Sequence, residues 1–223
     1  MIYTLVTDIA KKFHACSNAL RSAKQSSYMR NQFPFLGITT PHRRIVLEPI
    51  FKQTVMLDHG QLSALIETLW TKPEREFQYA AIDAAYYWRQ LHTPETISLL
   101  EQMIRTLSWW DTVDDVAVRL VGPLWLRHHA ISTNIDRWIT DDNMWIRRSA
   151  IICQIRWKAS TDIKRLFSYC AASMHEKNFF MRKAIGWALR EYSKINPQEV
   201  KKFIEAHRSL MSSLSIREGS KYI

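Results

Sequence analysis

One short segment of the chain carries residues whose chemistry is hard to explain by packing alone. It reads Ser-Trp-Trp-Asp-Thr-Val-Asp-Asp and runs from Ser108 to Asp115. Asp111 follows Ser108 by three residues, which fits a capping box at a helix start. Asp114 lies one turn after Trp110, so both side chains should project together. A carboxylate beside an indole at the edge of a core is costly unless it is paired or functional. Asp114 is therefore a candidate functional group, or else it caps a helix or pairs with an arginine of the next structural repeat.

Basic residues occupy the matching point of two later segments. Arg147 and Arg148 precede Ser-Ala-Ile, and Lys183 precedes Ala-Ile-Gly-Trp. Trp187 lies four residues after Lys183 and three before Arg190, so these side chains should share one side of a helix. Basic groups interleaved with aromatic rings are typical of nucleic-acid-binding surfaces. The alternative is that the charges are solvated at helix starts and the tryptophans belong to the core.

These segments belong to a pattern that returns about every 34 residues. Four strong copies align on equivalent apolar residues, namely Ile82, Val118, Ile151 and Ile185, with steps of 36, 33 and 34 residues. Weaker copies occur at 41–45, which contains Arg43 and Arg44, and at 216–219. Such a period without strand signals predicts an all-α fold, a curved solenoid of about six antiparallel helix pairs. The second helix of each pair should line the concave face, so equivalent charges should face one groove.

Two local patterns place the first elements of the chain. Residues 2–25 are predicted to form one helix, with Leu5 and Ile9 on its buried face. Thr39 is expected to cap the following helix, because Pro41 suits its first turn. The short turn signals farther along do not resemble interdomain linkers, so we expect a single repeat domain over residues 1–223.

The composition limits the class of protein. A 47% hydrophobic content and 9 tryptophans supply a core for 223 residues. The net charge of +10 favours a polyanionic partner, although a generally basic protein would show the same excess. The 3 cysteines are far apart and no HExxH motif occurs, so neither a disulfide framework, a metal site nor a cofactor is expected. No secretory signal or membrane span is recognisable, which predicts a cytoplasmic protein.

Beyond these patterns, the chain resembles the AlkD family of DNA glycosylases, which remove alkylated bases and are built from HEAT-like repeats. The resemblance covers roughly residues 20–221, and its motifs are Tyr28 to Asn31, Phe35 to Ile38, Leu69-Trp70, Pro73 to Gln78, Ser108 to Asp114, Asp142 to Arg148 and Lys183 to Tyr192. The resemblance implies that Asp114 is the catalytic carboxylate and that Trp110 and Trp187 contact the lesion. It also implies that Arg148 contacts a phosphate, and it matches Tyr28 and Thr39 to further DNA contacts.

By this resemblance the chain is expected to hydrolyse the N-glycosidic bond of cationic alkylated purines, such as 7-methylguanine and 3-methyladenine, in duplex DNA. This reaction begins base excision repair, and the enzyme is expected to act as a monomer without a cofactor, a membrane or an obligate protein partner. A fixed carboxylate would stabilise the oxocarbenium character that develops on the sugar, and indole faces would attract the cation. Two alternatives stay open: a non-catalytic protein that binds DNA structure, and a protein-binding scaffold with an acidic or apolar concave face.

Overall fold

The computed structural model describes residues 1–55 and 57–223, and every regular element that these residues form is helical. The all-α prediction is therefore confirmed. The α-helices are α1 (Ile2–Ala15), α2 (Ala19–Tyr28), α3 (Thr40–Gln53), α4 (His59–Trp70), α5 (Arg75–Tyr87), α6 (Thr96–Arg105), α7 (Trp110–Val116), α8 (Gly122–Arg127), α9 (Ser132–Trp138), α10 (Met144–Ile152), α11 (Ile163–Ala172), α12 (Phe179–Ser193), α13 (Pro197–Ala206) and α14 (Ser213–Gly219). A π-helical segment, Ala117–Val121, joins α7 to α8. Among the described residues, no helix is both long and apolar enough to cross a membrane.

The chain divides into two compact units, which are described separately. The first unit is Met1–His92 and contains α1 to α5, and the second is Thr93–Ile223 and contains α6 to α14. The expectation of a single domain over residues 1–223 stays a prediction.

The sequence repeat corresponds to successive helices. The six copies lie in α3, α5, α7 with its π segment, α10, α12 and α14. In the first unit α3 packs against α5; in the second, α7 packs on α10, α10 on α12 and α12 on α14. We call α7, α10, α12 and α14 the ridge helices. Polar contacts between neighbouring ridge helices span about one repeat, as between Asp114 and Arg148 and between Arg182 and Ser215. Within the second unit, neighbouring repeats therefore contact one another, as they do in a solenoid.

The apolar residues used to align the strong copies form part of the core. Ile82, Val118, Ile151 and Ile185 are all buried. Ile45, from the weaker copy, is instead 68% exposed. The buried side of α3 carries Arg43, Leu47 and Ile50, and a residue two positions from both Arg43 and Leu47 faces the opposite way at about 100° per residue. The alignment of that copy on Ile45 is therefore wrong.

Several helix starts differ in detail from the sequence patterns. The capping box at Ser108 and Asp111 is not formed, because α7 begins at Trp110, one residue later than that box requires. The Ser108 hydroxyl donates instead to the carbonyl of Ile104 in the preceding helix. Residue Trp109, with extended backbone, occupies the position before α7 instead. Thr39 does precede α3, but its side chain makes no capping hydrogen bond. Each of these two helices therefore begins without a capping bond from the residue before it.

The predicted helix over residues 2–25 is two helices. Leu5 and Ile9 are buried in α1, as expected, but α1 ends at Ala15. Asn18 then starts α2, and its side chain accepts a hydrogen bond from the Arg21 backbone N–H at 2.9 Å. An asparagine in this position favours a new helix start over continuation, because its amide oxygen satisfies a free backbone donor.

The π segment follows directly on the helix that carries Asp114. One residue more per turn is accommodated between Ala117 and Val121, and Gly122 then begins α8. A Cβ atom on Gly122 would lie 2.2 Å from the carbonyl oxygen of Cys153. The backbone therefore approaches the end of α10 more closely than any side chain at this position would allow. π segments are often found beside functional sites.

In the first unit, the buried carboxylate of Glu76 holds a loop in place. Its two oxygens accept hydrogen bonds from the backbone N–H groups of Leu36, Gly37 and Ile38 at 2.9 to 3.0 Å. Next to it, the buried Arg75 guanidinium lies 3.8 Å from the centroid of the Phe33 ring. The chain from residue 33 to residue 38 is thus fixed to the start of α5. Three charge-assisted bonds offset the cost of burying the carboxylate.

Candidate active site

The second unit brings Asp114 of α7 and Arg148 of α10 together. The guanidinium Nε and Nη2 atoms donate to the two carboxylate oxygens, each at 2.7 Å. The Arg148 side chain is 5% exposed, while that of Asp114 is 17% exposed, so part of the carboxylate remains open to solvent. A third donor, Nη1, binds the main-chain carbonyl of Phe180 at the start of α12. Two-point pairing fixes the plane of the carboxylate as well as its position.

The sequence had left open whether Asp114 pairs with an arginine of the next repeat, and that pairing is confirmed. It does not by itself assign or remove a catalytic role, because an aligned ion pair can also hold a reactive carboxylate in position. The pairing does change the setting of Arg148. This residue was expected to contact phosphate, and in the structure its guanidinium is engaged by Asp114 and by the Phe180 carbonyl.

The electrostatic balance at Asp114 has two opposing parts. Burial raises the pKa of the Asp114 carboxyl above its ordinary value, and the negative charges of Asp111 and Asp115 act in the same direction. The hydrogen bonds and positive charge of Arg148 act to lower that pKa. A carboxyl that accepts two guanidinium hydrogen bonds has both oxygens free of protons, so this geometry is that of the ionised pair. The charge of Asp114 therefore depends on Arg148.

Aromatic rings pack beside the pair at the starts of three ridge helices. Trp109 lies directly before α7, Trp145 is three residues before Arg148, and Phe180 supplies the carbonyl that Arg148 binds. Their ring centroids are 5.1 to 5.8 Å apart. The indole N–H of Trp109 is buried and has no hydrogen-bond partner within the part of the chain that the structure describes. The main-chain carbonyl of Phe180 links this cluster to the ion pair, because it accepts a hydrogen bond from Arg148.

Sequence reasoning missed Trp109, although it named the neighbouring Trp110. The doubled tryptophan was the available signal, but which of the two faces the cluster depends on where α7 begins. Trp110 is the first residue of α7, one turn before Asp114, and is half-buried. Trp187 lies within α12 and is also half-buried. The lesion contacts expected of Trp110 and Trp187 stay predictions.

Besides Arg148, three of the basic residues expected at the DNA surface form ion pairs within the second unit. Arg147 binds Glu176, with an N–O distance of 2.6 Å, and also donates to the carbonyls of Asp141 and Asp142. Lys183 and Arg190 both reach Glu218, at 3.3 and 2.8 Å, and Lys221 binds the same carboxylate at 3.0 Å. The structure therefore brings Lys183 and Arg190 together, as their spacing predicted, around a carboxylate that the sequence pattern did not indicate.

The cluster around Glu218 remains positively charged overall. The hydrogen bond from Lys221 contributes most to lowering the pKa of the Glu218 carboxyl, and Lys183 acts in the same direction. Burial of the carboxyl acts to raise that pKa. One carboxylate thus orders three cations, of which Lys183 keeps 40% of its side chain exposed. Ordered cations of this kind are suited to bind phosphate oxygens.

The remaining expected DNA contacts lie in the first unit. Tyr28 ends α2 and is 71% exposed, and Thr39 is half-buried before α3. Arg43 is buried and pairs with Asp83 at 3.0 Å, whereas the Arg44 side chain is 57% exposed and lies 3.9 Å from the same residue. Of the two arginines, Arg44 is therefore the one that faces solvent.

The described residues contain no group of three or more His, Cys, Asp or Glu side chains placed to hold a metal ion. Cys153 and Cys170 are buried in the second unit, and burial raises the pKa of both thiols, that of Cys170 to about 12. Thiols in this state are poor nucleophiles. The chemistry available in this unit is that of a fixed carboxylate, aromatic rings and ordered cations.

These features define a class: an all-helical repeat protein with a positioned carboxylate and basic groups at the starts of stacked helices. The chain belongs to the family of DNA alkylation repair enzymes, whose family model matches residues 9–223. A solved structure described as a predicted DNA alkylation repair enzyme from Enterococcus faecalis is similar, with 33% identity and a TM-score of 0.84. The match covers 93% of this chain and 96% of that one.

A second solved structure, smu.31 from Streptococcus mutans UA159, shares the fold at 19% identity. Its TM-score is 0.60, and the match covers 79% of this chain and 89% of that one. A comparison with curated proteins found no match. The family and the first of these structures support a role in the repair of alkylated DNA.

Proposed function

We propose that this chain is a monofunctional DNA glycosylase that hydrolyses the N-glycosidic bond of positively charged alkylated purines in duplex DNA. The observation that carries the proposal is the two-point ion pair of Asp114 with Arg148. It provides a carboxylate with fixed orientation, limited hydration and one open side. These are the properties required to stabilise a cation that develops in a transition state.

The chemistry needs little more than this. An alkylated base such as 7-methylguanine or 3-methyladenine already carries positive charge, so it departs with the electron pair of its bond to C1′ and needs no strong acid. The sugar then acquires oxocarbenium character, which the Asp114 carboxylate stabilises by charge. Water adds to C1′ and releases a proton to solvent or to the carboxylate. Trp110 and Trp187 would present indole faces to the cationic groups.

In this proposal Arg148 positions Asp114. Its buried guanidinium already has three bonds to protein groups, two to Asp114 and one to Phe180. Phosphate binding falls instead to the partly exposed cations, namely Arg44, Lys183 and Arg190. Their ion pairs to Asp83 and Glu218 hold them in place before DNA arrives, which reduces the entropy lost on binding.

The direct test is incubation of the protein with a duplex that holds one 7-methylguanine, followed by detection of the free base. Release of 7-methylguanine, with an abasic site left in the strand and no strand cleavage by the protein, is the result expected of a monofunctional glycosylase. A protein that binds this duplex and releases no base from it, nor from one with 3-methyladenine, is not a glycosylase for these lesions.

A second candidate function is binding of DNA structure without catalysis. One observation favours it: the pairing with Arg148 gives Asp114 a structural reason to be present. The two functions differ in the same experiment, because a binding protein would retain duplex affinity and leave the N-glycosidic bond intact.

A further inference from the structure

The positive charge of the chain is concentrated near its beginning. Between Asp8 and Glu48 the sequence has seven Lys and Arg residues and no Asp or Glu. This segment thus has a net charge of +7, and the whole chain has a net charge of +10. Helix α2 lies in the middle of this segment. Arg21, Lys24 and Arg30 are exposed and form no ion pair with the described residues. A helix whose cations lack internal partners carries a field that attracts polyanions.

Helix α2 is attached to the first unit by polar rather than apolar contacts, and none of its residues is buried. The hydroxyl of Ser22 donates to the Phe35 carbonyl at 2.6 Å, and that of Ser26 donates to the Phe33 carbonyl at 3.2 Å. The amide of Gln25 reaches the Ile38 carbonyl at 3.2 Å. The polar side chains on the inward side of α2 thus bind backbone carbonyl groups within residues 33–38.

The outward side of α2 carries a row of basic and aromatic residues. Arg21, Lys24 and Tyr28 are spaced by three and four positions, so they share one side of the helix. The Tyr28 ring is 71% exposed. An amphipathic helix that enters a lipid interface needs an apolar side, and α2 has polar groups where that side would be. The row fits an anionic backbone better than a membrane.

The loop that supports α2 is held in a fixed position. Residues 36–38 are fixed by the three hydrogen bonds to the buried Glu76 carboxylate. Gly37 has φ = 87°, a conformation open to glycine. A Cβ on it would lie 2.2 Å from the carbonyl oxygen of Asn18, the residue before α2, and 2.8 Å from the backbone nitrogen of Ser22 in α2. The backbone of α2 therefore rests directly on the loop. Side chains on a fixed helix lose less freedom when they bind a ligand.

We propose that the outward side of α2, formed by Arg21, Lys24 and Tyr28, is a docking surface for the phosphate backbone of duplex DNA. The choice of DNA as the polyanion rests on the proposed function. The surface would bind duplex regardless of base sequence, because its cations meet phosphates and not base edges. Such contacts orient the duplex without taking part in the excision.

The test measures binding to an undamaged duplex, so its result does not depend on whether the chain excises bases. In the double variant Arg21→Gln and Lys24→Gln, affinity should fall by about tenfold or more at about 0.1 M salt. The slope of log affinity against log salt should become shallower by about 1.8, because two phosphate contacts are lost. Both positions are exposed, so the variant should keep the helical spectrum of the parent.

The matched control is the double variant Lys201→Gln and Lys202→Gln on α13, which makes the same change in net charge at two exposed positions. Its affinity and salt slope should stay within about twofold and about 0.5 of the parent. An equal loss in both double variants would mean a net-charge effect and would overturn the proposal. An α2 variant that binds the duplex with the affinity of the parent would also overturn it. So would an α2 variant that no longer binds anionic lipid vesicles but binds DNA as the parent does.

Discussion

Arg148 holds both carboxylate oxygens of Asp114, which lies 34 residues earlier in the chain, through two N–O contacts of 2.7 Å. The same guanidinium binds the Phe180 carbonyl, so α7, α10 and α12 meet at one side chain. Neither partner can rotate without losing two bonds. Such preorganisation is what makes a charged group effective in a transition state, since no reorientation remains to be done.

The first prediction concerns Asp114→Asn. The variant keeps the shape but removes the charge that would stabilise the sugar cation, so excision of 7-methylguanine should slow by at least about tenfold, or about 1.4 kcal/mol in the barrier. Duplex affinity should change little. Because the amide leaves Arg148 without a counterion, the fold of the variant is checked by circular dichroism. Single-turnover rates with saturating, folded enzyme measure the catalytic effect separately.

Asp115→Asn is the matched control for this change. Asp115 is the next residue of α7 and pairs with Arg119, one turn later, at 2.7 Å. It should keep the parental excision rate within about threefold, since its carboxylate points about 100° away around the helix. Equal rates for Asp114→Asn and the parent would remove the catalytic assignment and favour the protein that only binds DNA.

The second prediction is the pH dependence of excision. Burial raises the pKa of the Asp114 carboxyl above 3.8, and the reactive form is the ionised one. As the pH falls through the raised pKa, the single-turnover rate should drop about tenfold per pH unit. Arg148→Ala removes the group that lowers this pKa, so the decrease in rate at low pH should begin at a higher pH. Base loss without enzyme is subtracted at each pH. A decrease that begins at the parental pH in this variant would contradict the pairing.

The raised pKa of the Asp114 carboxyl also makes the free energy of unfolding depend on pH. The folded state binds the Asp114 proton more tightly than the unfolded state does, so the contribution of this carboxyl to stability is greatest below the unfolded pKa. That contribution is lost as the pH rises from about 3.8 to the folded pKa. Denaturation of the parent and of Asp114→Asn over this range isolates the effect.

The third prediction concerns Gly122→Ala. The added Cβ would lie 2.2 Å from the Cys153 carbonyl oxygen, so α8 or the end of α10 must shift. We expect the free energy of unfolding to fall by about 2–4 kcal/mol in chemical denaturation. Gly60→Ala is the control, because at that helical position the new Cβ meets only the Asp58 carboxylate at 3.4 Å. It should be neutral or should stabilise by up to about 1 kcal/mol.

The fourth prediction concerns Glu76→Gln. The amide keeps the shape, but one carboxylate oxygen becomes a donor that faces a backbone N–H group of residues 36–38. The cost should be about 2–4 kcal/mol in the free energy of unfolding. Glu74→Gln, just before α5, forms no capping bond and should change that free energy by less than about 0.5 kcal/mol. Equal stabilities of the two variants would mean that the loop does not depend on Glu76.

The repeat was visible in the sequence because packing imposes it. Ile82, Ile151 and Ile185 are all buried, since each repeat buries the same side of its helix. The register of the repeats also placed Asp114 opposite the arginines of the following copy, so the ion pair was among the interpretations. Periodicity therefore predicts both the elements and some of the contacts between them.

Other features depend on distances that periodicity does not contain. The choice between Trp109 and Trp110 turns on a helix boundary, and boundaries are set by local hydrogen bonds such as that from Ser108 to Ile104. Lys183 and Arg190 share one partner, Glu218, which lies in a weak copy of the repeat. A carboxylate shared by three cations is a property of the assembled surface, so no spacing rule identifies it.

The π segment gives the helix that runs from α7 to α8 one residue more than a regular α-helix would need to cover the same turn. A single-residue deletion between Ala117 and Val121 would replace i→i+5 hydrogen bonds by i→i+4 hydrogen bonds and would leave Gly122 against Cys153, because one turn is closed in both cases. A deletion in the regular part of α7 would instead turn everything after it through about 100°, and a side chain would meet the Cys153 carbonyl in place of Gly122. We therefore expect relatives that are one residue shorter at this point to lack the π segment and to keep the glycine against the end of α10.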